Sequence, residues 1–438
     1  MKSNEPKDKP VTRRQLLASM GAAGALIAAG AGLPFEAHAA KVTVPAADNK
    51  SWLNVKDFGA LGNGYDDDAP FIQSAIDAAA ADKGGAVFFP SGKYYINRGL
   101  LMRNKVSLIG AGAENTFIKA GNADMFMLYS GSGINNYSVE GITLEGVGPS
   151  GATGDIVERG IYAVEGANIT LRNCMFTGVA NGIRLVRAQH VIISNCTFIK
   201  VFGSQSQAEG YGIVVEGGAN HTIQGNHFKN VSKHCVHLTM GSVYSHVTGN
   251  VMEYSEDAAI MVSSKVTACS NHLIEGNIVA PYAVTDQEHS STYGIRLKDA
   301  CSYNTVVNNV ISRAASAGIQ LEAGENAGDD RPYGNSIAGN SIYGSVRGIA
   351  ILNADANSVK NNDVRRTEYG ILLDTVGEGS SSSTKRNIVT SNSIYQSSAA
   401  AVRVGSASCE ANIVFGNAGH DNAEGLKDSG TNTATAGF

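Results

Sequence analysis

Arg296 and Lys298 stand one residue apart in Gly294-Ile295-Arg296-Leu297-Lys298, a spacing that puts two cations on the same side of an extended strand. Such a pair suits an anionic group, a carboxylate above all. Glu216, His237, Asp257 and Glu322 occupy comparable segments nearby, with Arg184 as a third cation. Paired carboxyls cleave an acetal by acid–base chemistry when they are close together for retention, or roughly 6.5–9.5 Å apart for inversion. A histidine beside cations suits a different step, removal of a proton next to a carboxylate whose developing charge the cations stabilise. On these grounds His237 is the candidate base and Asp257 the candidate acid. Glu216 and Glu322 are auxiliary or alternative carboxylates, and Arg184, Arg296 and Lys298 are substrate contacts. Glu288 and His289, in an insertion at 280–292, are further candidates.

What positions these groups is a repeat. From residue 160 a strand opening with a small residue and an aliphatic one keeps returning: Gly160-Ile161, Gly182-Ile183, Gly212-Ile213, Cys235-Val236, Ala259-Ile260, Gly294-Ile295, Gly318-Ile319, Gly348-Ile349 and Gly370-Ile371. Each is followed, roughly a dozen or more residues later, by an asparagine: Asn173, Asn195, Asn226, Asn250, Asn277, Asn309, Asn340, Asn362 and Asn392. The shortest periods are 22 to 24 residues, enough for three short strands, and no helical-period segment intervenes. The fold expected is all-β: a right-handed parallel β-helix with stacked aliphatic residues inside and an asparagine ladder in one turn.

Strand alternation then assigns the outer face. If the aliphatic residue points inward, Tyr162, Arg184, Val214, His237, Met261, Arg296 and Gln320 form one outward column. Val164, Val186, Glu216, Thr239, Ser263, Lys298 and Glu322 form a second. Neighbouring rungs lie about 4.8 Å apart, so Glu216 and Asp257, or Asp257 and Glu322, two rungs apart, reach the inverting separation. Insertions at 200–210, 280–292, 323–335 and 375–386 are expected to wall a trough suited to a polymer.

An open solenoid end exposes apolar core and needs a cap. Residues 66–82 supply one: Asp67 and Asp68 as N-caps, Pro70 in the first turn, and Ile72, Ala75, Ile76 and Ala79 as the buried stripe before Gly84-Gly85. Ahead of it, Thr12-Arg13-Arg14-Gln15-Leu16-Leu17, an apolar run to Leu33 and Ala37-His38-Ala39 form a twin-arginine leader over residues 1–39. The domain plan is leader 1–39, linker 40–51, one β-helix over 52–420 and a tail over 421–438. The leader predicts secretion, or work in the periplasm or at the cell surface, with no membrane attachment in the mature form.

The net charge of −5, more acidic still without the leader, excludes bulk attraction to nucleic acid. None of the six cysteines has metal or redox spacing; Cys174 and Cys196, 22 residues apart, are expected to stack as buried thiols. No cofactor or metal site is expected.

The segment Val55-Lys56-Asp57-Phe58-Gly59-Ala60-Leu61-Gly62-Asn63-Gly64, then Asp67-Asp68, Ile72-Gln73-Ser74-Ala75-Ile76-Asp77 and Gly84-Gly85-Ala86-Val87-Phe88-Phe89-Pro90-Ser91-Gly92-Lys93-Tyr94, closely resembles the opening of the pectate-lyase-like superfamily. That superfamily includes polygalacturonase-like hydrolases, rhamnogalacturonases, alginate epimerases and phage tailspikes, so the resemblance implies a β-helix acting on polysaccharide. It leaves the reaction open, because the opening is shared by different chemistries. The Arg296–Lys298 strand also resembles the R-I-K strand of polygalacturonases, which implies contact with a substrate carboxylate. Their N-T-D and G-H-G motifs are absent, as are the D-P-H-E motif of alginate epimerases and the three-Asp calcium cluster of pectate lyases. The expectation is an exported enzyme cleaving a glycan, acidic and uronate-containing, by lyase or hydrolase chemistry. The alternatives are a neutral-glycan hydrolase, a fructan transferase, or an adhesin-like β-helix that only binds glycan and would show aromatic platforms on the same face. Self-association into a homo-oligomer is left open.

Overall fold

The computed structural model describes residues 52–148, 159–203, 209–284, 287–324, 328, 330–377 and 382–436. The leader and linker expected over 1–51 lie outside the described residues. From Trp52 the chain winds as a right-handed parallel β-helix. Among the described residues three parallel sheets of 15, 13 and 13 strands run along it. Successive strands of one sheet come from successive turns: Tyr211–Glu216 pairs with Asn181–Val186 on one side and His234–Thr239 on the other. The sheet holding these three strands is the groove sheet.

The small residue that opens each groove-sheet strand makes room for the core. A Cβ on Gly160, Gly182 or Gly212 would lie 2.8 Å from the ring of Phe176, Phe198 or Phe228. Those three phenyls stack with centroids 4.7 Å apart. Where Met252 and Val279 continue the phenylalanine column, Cys235 and Ala259 replace the glycine. Because the small residue and the aliphatic residue after it both face inward, the alternation breaks at that point. The residue preceding the small one therefore returns to the groove face, and this third outward column was not anticipated from the sequence.

The asparagine ladder spans the back turn. Side-chain amides of Asn226, Asn250, Asn277, Asn309, Asn340, Asn362 and Asn392 each donate to the next Oδ1, ending on Asn417, at 2.9–3.0 Å. Asn173 and Asn195 do not belong to it. They sit one position earlier with φ of +54° and +53°, where later turns carry Gly225, Gly249 and Gly276. Cys174 and Cys196 take the ladder position, and the Cys196 N–H donates to Asn226 Oδ1 at 2.9 Å. All six cysteines are buried free thiols. A second ladder, unforeseen, runs through Asn304, Asn335, Asn357, Asn387 and Asn412. Its earlier rungs hold His221, Ser245 and His272, and His272 Nδ1 accepts the Ser245 N–H as an asparagine oxygen does elsewhere (3.1 Å).

The cap helix spans Ala69–Ala81 with Ala69, Ile72, Ala75, Ile76 and Ala79 buried. Only Asp67 caps it through its side chain, accepting the Ala69 N–H (3.1 Å). Asp68 instead accepts the N–H groups of Leu61 and Gly62 (2.6 and 2.9 Å), tying the preceding loop to the helix. At the other end, Leu426–Asp428 and Ala434–Ala436 pair with Ala400–Val404 and Ile413–Phe415. The solenoid thus continues past 420, and the residues set aside as a tail add strands to it.

Candidate functional site

The registers place both outward columns where alternation puts them. Tyr162, Arg184, Val214, His237, Met261, Arg296 and Gln320 are successive partners, as are Val186, Glu216, Thr239, Ser263, Lys298 and Glu322. The third column brings Arg159, Asn181, Tyr211 and His234 onto the same face. Sequence reading missed these because its count began at the small residue; the recurrence of a polar or aromatic residue just before it was the available signal.

Charge on this face divides into two clusters. In the first, Arg184 bridges Glu216 (2.7 Å) and Glu209 (2.8 Å), and Arg159 also holds Glu209 (3.1 Å). Glu209 comes from the 200–210 insertion and also accepts from the Asn181 amide (2.8 Å). Burial works against the Arg184 charge, yet Glu216 and Glu209 hold its guanidinium above the ordinary value. In the second cluster, Arg296 donates to Asp257 (3.2 Å) and to Glu322, while Lys298 lies 3.7 Å from Glu322. The Arg296 guanidinium also lies 4.2 Å from the centroid of the Tyr293 ring. Asp257 and Glu322, the pair set two rungs apart by rung counting, therefore flank one guanidinium. Glu216 is likewise occupied by Arg184.

Between the clusters opens a cavity of about 630 Å³ lined by Tyr211, His234, His237, Asp257, Ser263 and four cations, Lys233, Lys265, Arg296 and Lys298. Of the residues singled out from sequence, His237, Asp257, Arg296 and Lys298 meet here; Arg184, Glu216 and Glu322 stand outside its lining. Asp299 is the second acid of the wall, so the lining carries more positive than negative groups on an otherwise acidic protein. His237 Nε2 and the Ser263 hydroxyl share a hydrogen bond (2.8 Å), and Nδ1 of the same ring is buried without a partner. Burial, then His234 and Lys233, push the His237 pKa well below the ordinary value. His234, 2% exposed, donates from Nδ1 to the Ala258 carbonyl (3.1 Å) and faces Asp257 at 3.9 Å. Burial lowers its pKa to about 3. Burial, then Glu209, raises that of Tyr211. At neutral pH the cavity thus presents two uncharged imidazoles and a protonated phenol, with centroids 5.0–5.7 Å apart.

One wall arises inside a strand. Ala258–Ser270 is longer than its neighbours, and its pairing with Tyr293–Ser302 slips between Ser264 and Cys269. The slip projects Val266, 90% exposed, between this cavity and a second one of about 830 Å³. Arg331, Tyr333, Ser383 and Arg386, from the 323–335 and 375–386 insertions, line the second cavity. The 280–292 insertion forms a hairpin, Tyr282–Val284 against Gln287–His289. His289 packs against Tyr254 and not on the cavity (5.4 Å between rings); the Glu288 side chain lies outside the described residues. Among the described residues no group of three or more His, Cys, Asp or Glu is placed to hold a metal ion.

The right-handed parallel β-helix thus carries a polar, cation-rimmed cavity on its groove sheet. The chain belongs to the rhamnogalacturonase A/epimerase, pectate-lyase-like family, which matches residues 52–277. Residues 281–399 also match the family of the periplasmic copper-binding protein NosD. Mannuronan C5-epimerase AlgE1 of Azotobacter vinelandii is 39% identical over 106 residues, 21% of this chain and 8% of that protein. Alginate lyase 7 of the same organism is 36% identical over 106 residues, 21% of this chain and 12% of that protein. The chain thus spans a small part of the curated relatives it matches. The AlgE6 A-module of A. vinelandii superposes over 88% of this chain and 100% of its own, with TM-score 0.59 and 20% identity. The curated relatives include mannuronan epimerases and an alginate lyase, and the fold is shared by solved structures of an exopolygalacturonase and an α-1,3-glucanase.

Proposed function

We propose that this protein cleaves a uronate-containing polysaccharide by β-elimination. The observation that carries this reading is the juxtaposition of neutral His237 with a cation-rich cavity wall. A uronate carboxylate settles among Arg296, Lys298 and Lys233, which stabilise the charge developing when the neighbouring C5 proton is removed. His237 takes that proton on Nε2 once the Ser263 hydroxyl has turned away to free its lone pair; the electron pair forms the C4–C5 double bond and the C4–O bond breaks. The Tyr211 hydroxyl returns a proton to the leaving oxygen. The depressed basicity of His237 is relieved by the arriving negative charge, which favours the imidazolium. Base and acid rise from the same sheet, so both act on one face of the sugar, as syn elimination requires. Epimerisation instead needs a proton donor on the opposite face. A hydrolase reading is less well supported, because Glu216, Asp257 and Glu322, the carboxyls it would use, are each ion-paired to a guanidinium.

The test is a panel of polyuronates and neutral glycans read by reducing-end release and by absorbance of the unsaturated product. Reducing ends with matching absorbance on a polyuronate are expected. Reducing ends from a neutral glycan without absorbance would favour the hydrolase alternative. We further propose that the protein works outside the cytoplasmic membrane after twin-arginine export. Replacing Arg13 and Arg14 by Lys is expected to retain the precursor in the cytoplasm, and normal secretion of that variant would refute the route.

A further inference from the structure

The His237 column continues toward the N-terminal end of the solenoid as Arg184, Tyr162, Tyr129 and Leu101. These positions change in character from charged to aromatic. Tyr129 and Tyr162 lie on adjacent rungs with centroids 5.7 Å apart, and Phe126 meets both, at 5.8 and 4.7 Å. All three rings are only half-buried, and Leu101 beyond them is 43% exposed. A cavity of about 320 Å³ opens beside Phe126 and Tyr129. The guanidinium of Arg159 lies 5.1 and 5.2 Å from the Phe126 and Tyr162 ring centroids. Arg159 and Arg184 are matched by Glu209 and Glu216, so this stretch offers ring faces and no surplus charge.

We propose that Tyr129, Tyr162 and Phe126 form a distal subsite that stacks on a pyranose ring of the same glycan chain whose reacting residue lies at His237. The proposal rests on the function proposed above for its substrate class and deepens it. Its occupant follows from continuity, because the platform and His237 share one outward column of one sheet. Tyr162 and Tyr129 are three and four rungs from His237, about 14 and 19 Å, a distance spanned by several linked sugars. Apolar C–H faces of a pyranose suit aromatic rings, whereas the charged central cavity suits the carboxylate. The two regions thus divide recognition of ring face and of charge. Aromatic platforms together with dispensable acids would mark a protein that only binds glycan; here the platform lies in line with the cavity and lengthens its reach.

The experiment uses the whole protein and Tyr129→Ala, Tyr129→Phe and Tyr162→Ala variants. Oligosaccharides of the best polyuronate, a trisaccharide and an octasaccharide, are compared by kcat/KM. The octasaccharide-to-trisaccharide ratio should fall about three- to tenfold in each Ala variant, the size of one lost aromatic contact, and recover in Tyr129→Phe. An unaltered ratio in both Ala variants would overturn the proposal, as would a loss in Tyr129→Phe equal to that in Tyr129→Ala. Retardation in gels containing each polymer of the panel is a readout independent of turnover. Weaker retardation of both Ala variants supports the subsite even if no unsaturated product forms, an outcome that would sink the elimination reading alone. Retardation by a polymer that Tyr129→Ala and Tyr162→Ala leave unchanged counts against the subsite.

Discussion

The back turn and the groove face are built on the same rungs by opposite rules. In the back turn one residue type repeats from Asn226 to Asn417, with one hydrogen bond recurring at 2.9–3.0 Å. On the groove face no two neighbouring rungs from Arg184 to Gln320 carry the same residue in the first column. A stacked position pays for uniformity with a partner on every rung, and that selects asparagine. An outward position has no such constraint, so its residue is free to meet a ligand. Departure from the repeat is therefore informative: the His-rich and cation-rich rungs mark the site, and the aromatic rungs mark its extension.

The largest expected effect separates the two regions. His237→Ala should lower kcat about 10²- to 10⁴-fold, the usual value of a proton-transfer group, with its melting temperature close to that of the wild type. Asn309→Ala should do the reverse. It removes the acceptor of both the Asn277 amide and the Asn277 backbone N–H, leaving buried donors at about 1–3 kcal/mol each. A fall in the urea midpoint with kcat preserved at low denaturant would fit; an unchanged midpoint would mean that the ladder is redundant.

Next in size, Arg296→Gln and Lys298→Gln should lower kcat/KM about tenfold, each removing a charge that holds the substrate carboxylate and stabilises the charge developing on it. Arg296→Gln should also loosen Asp257 and Glu322, so its loss should exceed that of Lys298→Gln. Equal effects on neutral and uronate oligosaccharides would show that these cations are structural.

The smallest effect is on pH dependence of stability. His221 and His272 have pKa values lowered to about 4 by burial, and His234 to about 3. Between these values and the ordinary 6.5 the unfolded chain binds protons that the folded chain does not. Stability is therefore fully present above the ordinary value and is lost as pH falls through the window. His221→Asn, which places in the second ladder the residue used on its later rungs, should make the melting temperature fall less steeply between about pH 6.5 and 4. An unchanged slope would assign the acid sensitivity to other groups.

Much of this architecture was legible from residue order. The Gly–aliphatic marker, the two outward columns and the buried thiols all follow from period-two alternation and a stacked core. The register fails to be legible where a small residue turns inward beside an aliphatic one, which hid Arg159, Tyr211 and His234. The ladder was misplaced by one residue in its first two turns because asparagine suits both the left-handed position and the stacked one. Rung spacing brought Asp257 and Glu322 to a catalytic distance, yet spacing alone cannot say that Arg296 lies between them. Glu209 was illegible for another reason: its partners, Arg159 and Arg184, depend on how an insertion folds back over the face.

The most direct test of proton abstraction in the His237 cavity is the rate of cleavage of a polyuronate deuterated at C5, compared with its protiated form. Elimination predicts a severalfold slower deuterated substrate, with one double bond formed for each chain broken. Chain cleavage at equal rates without double bonds would contradict it.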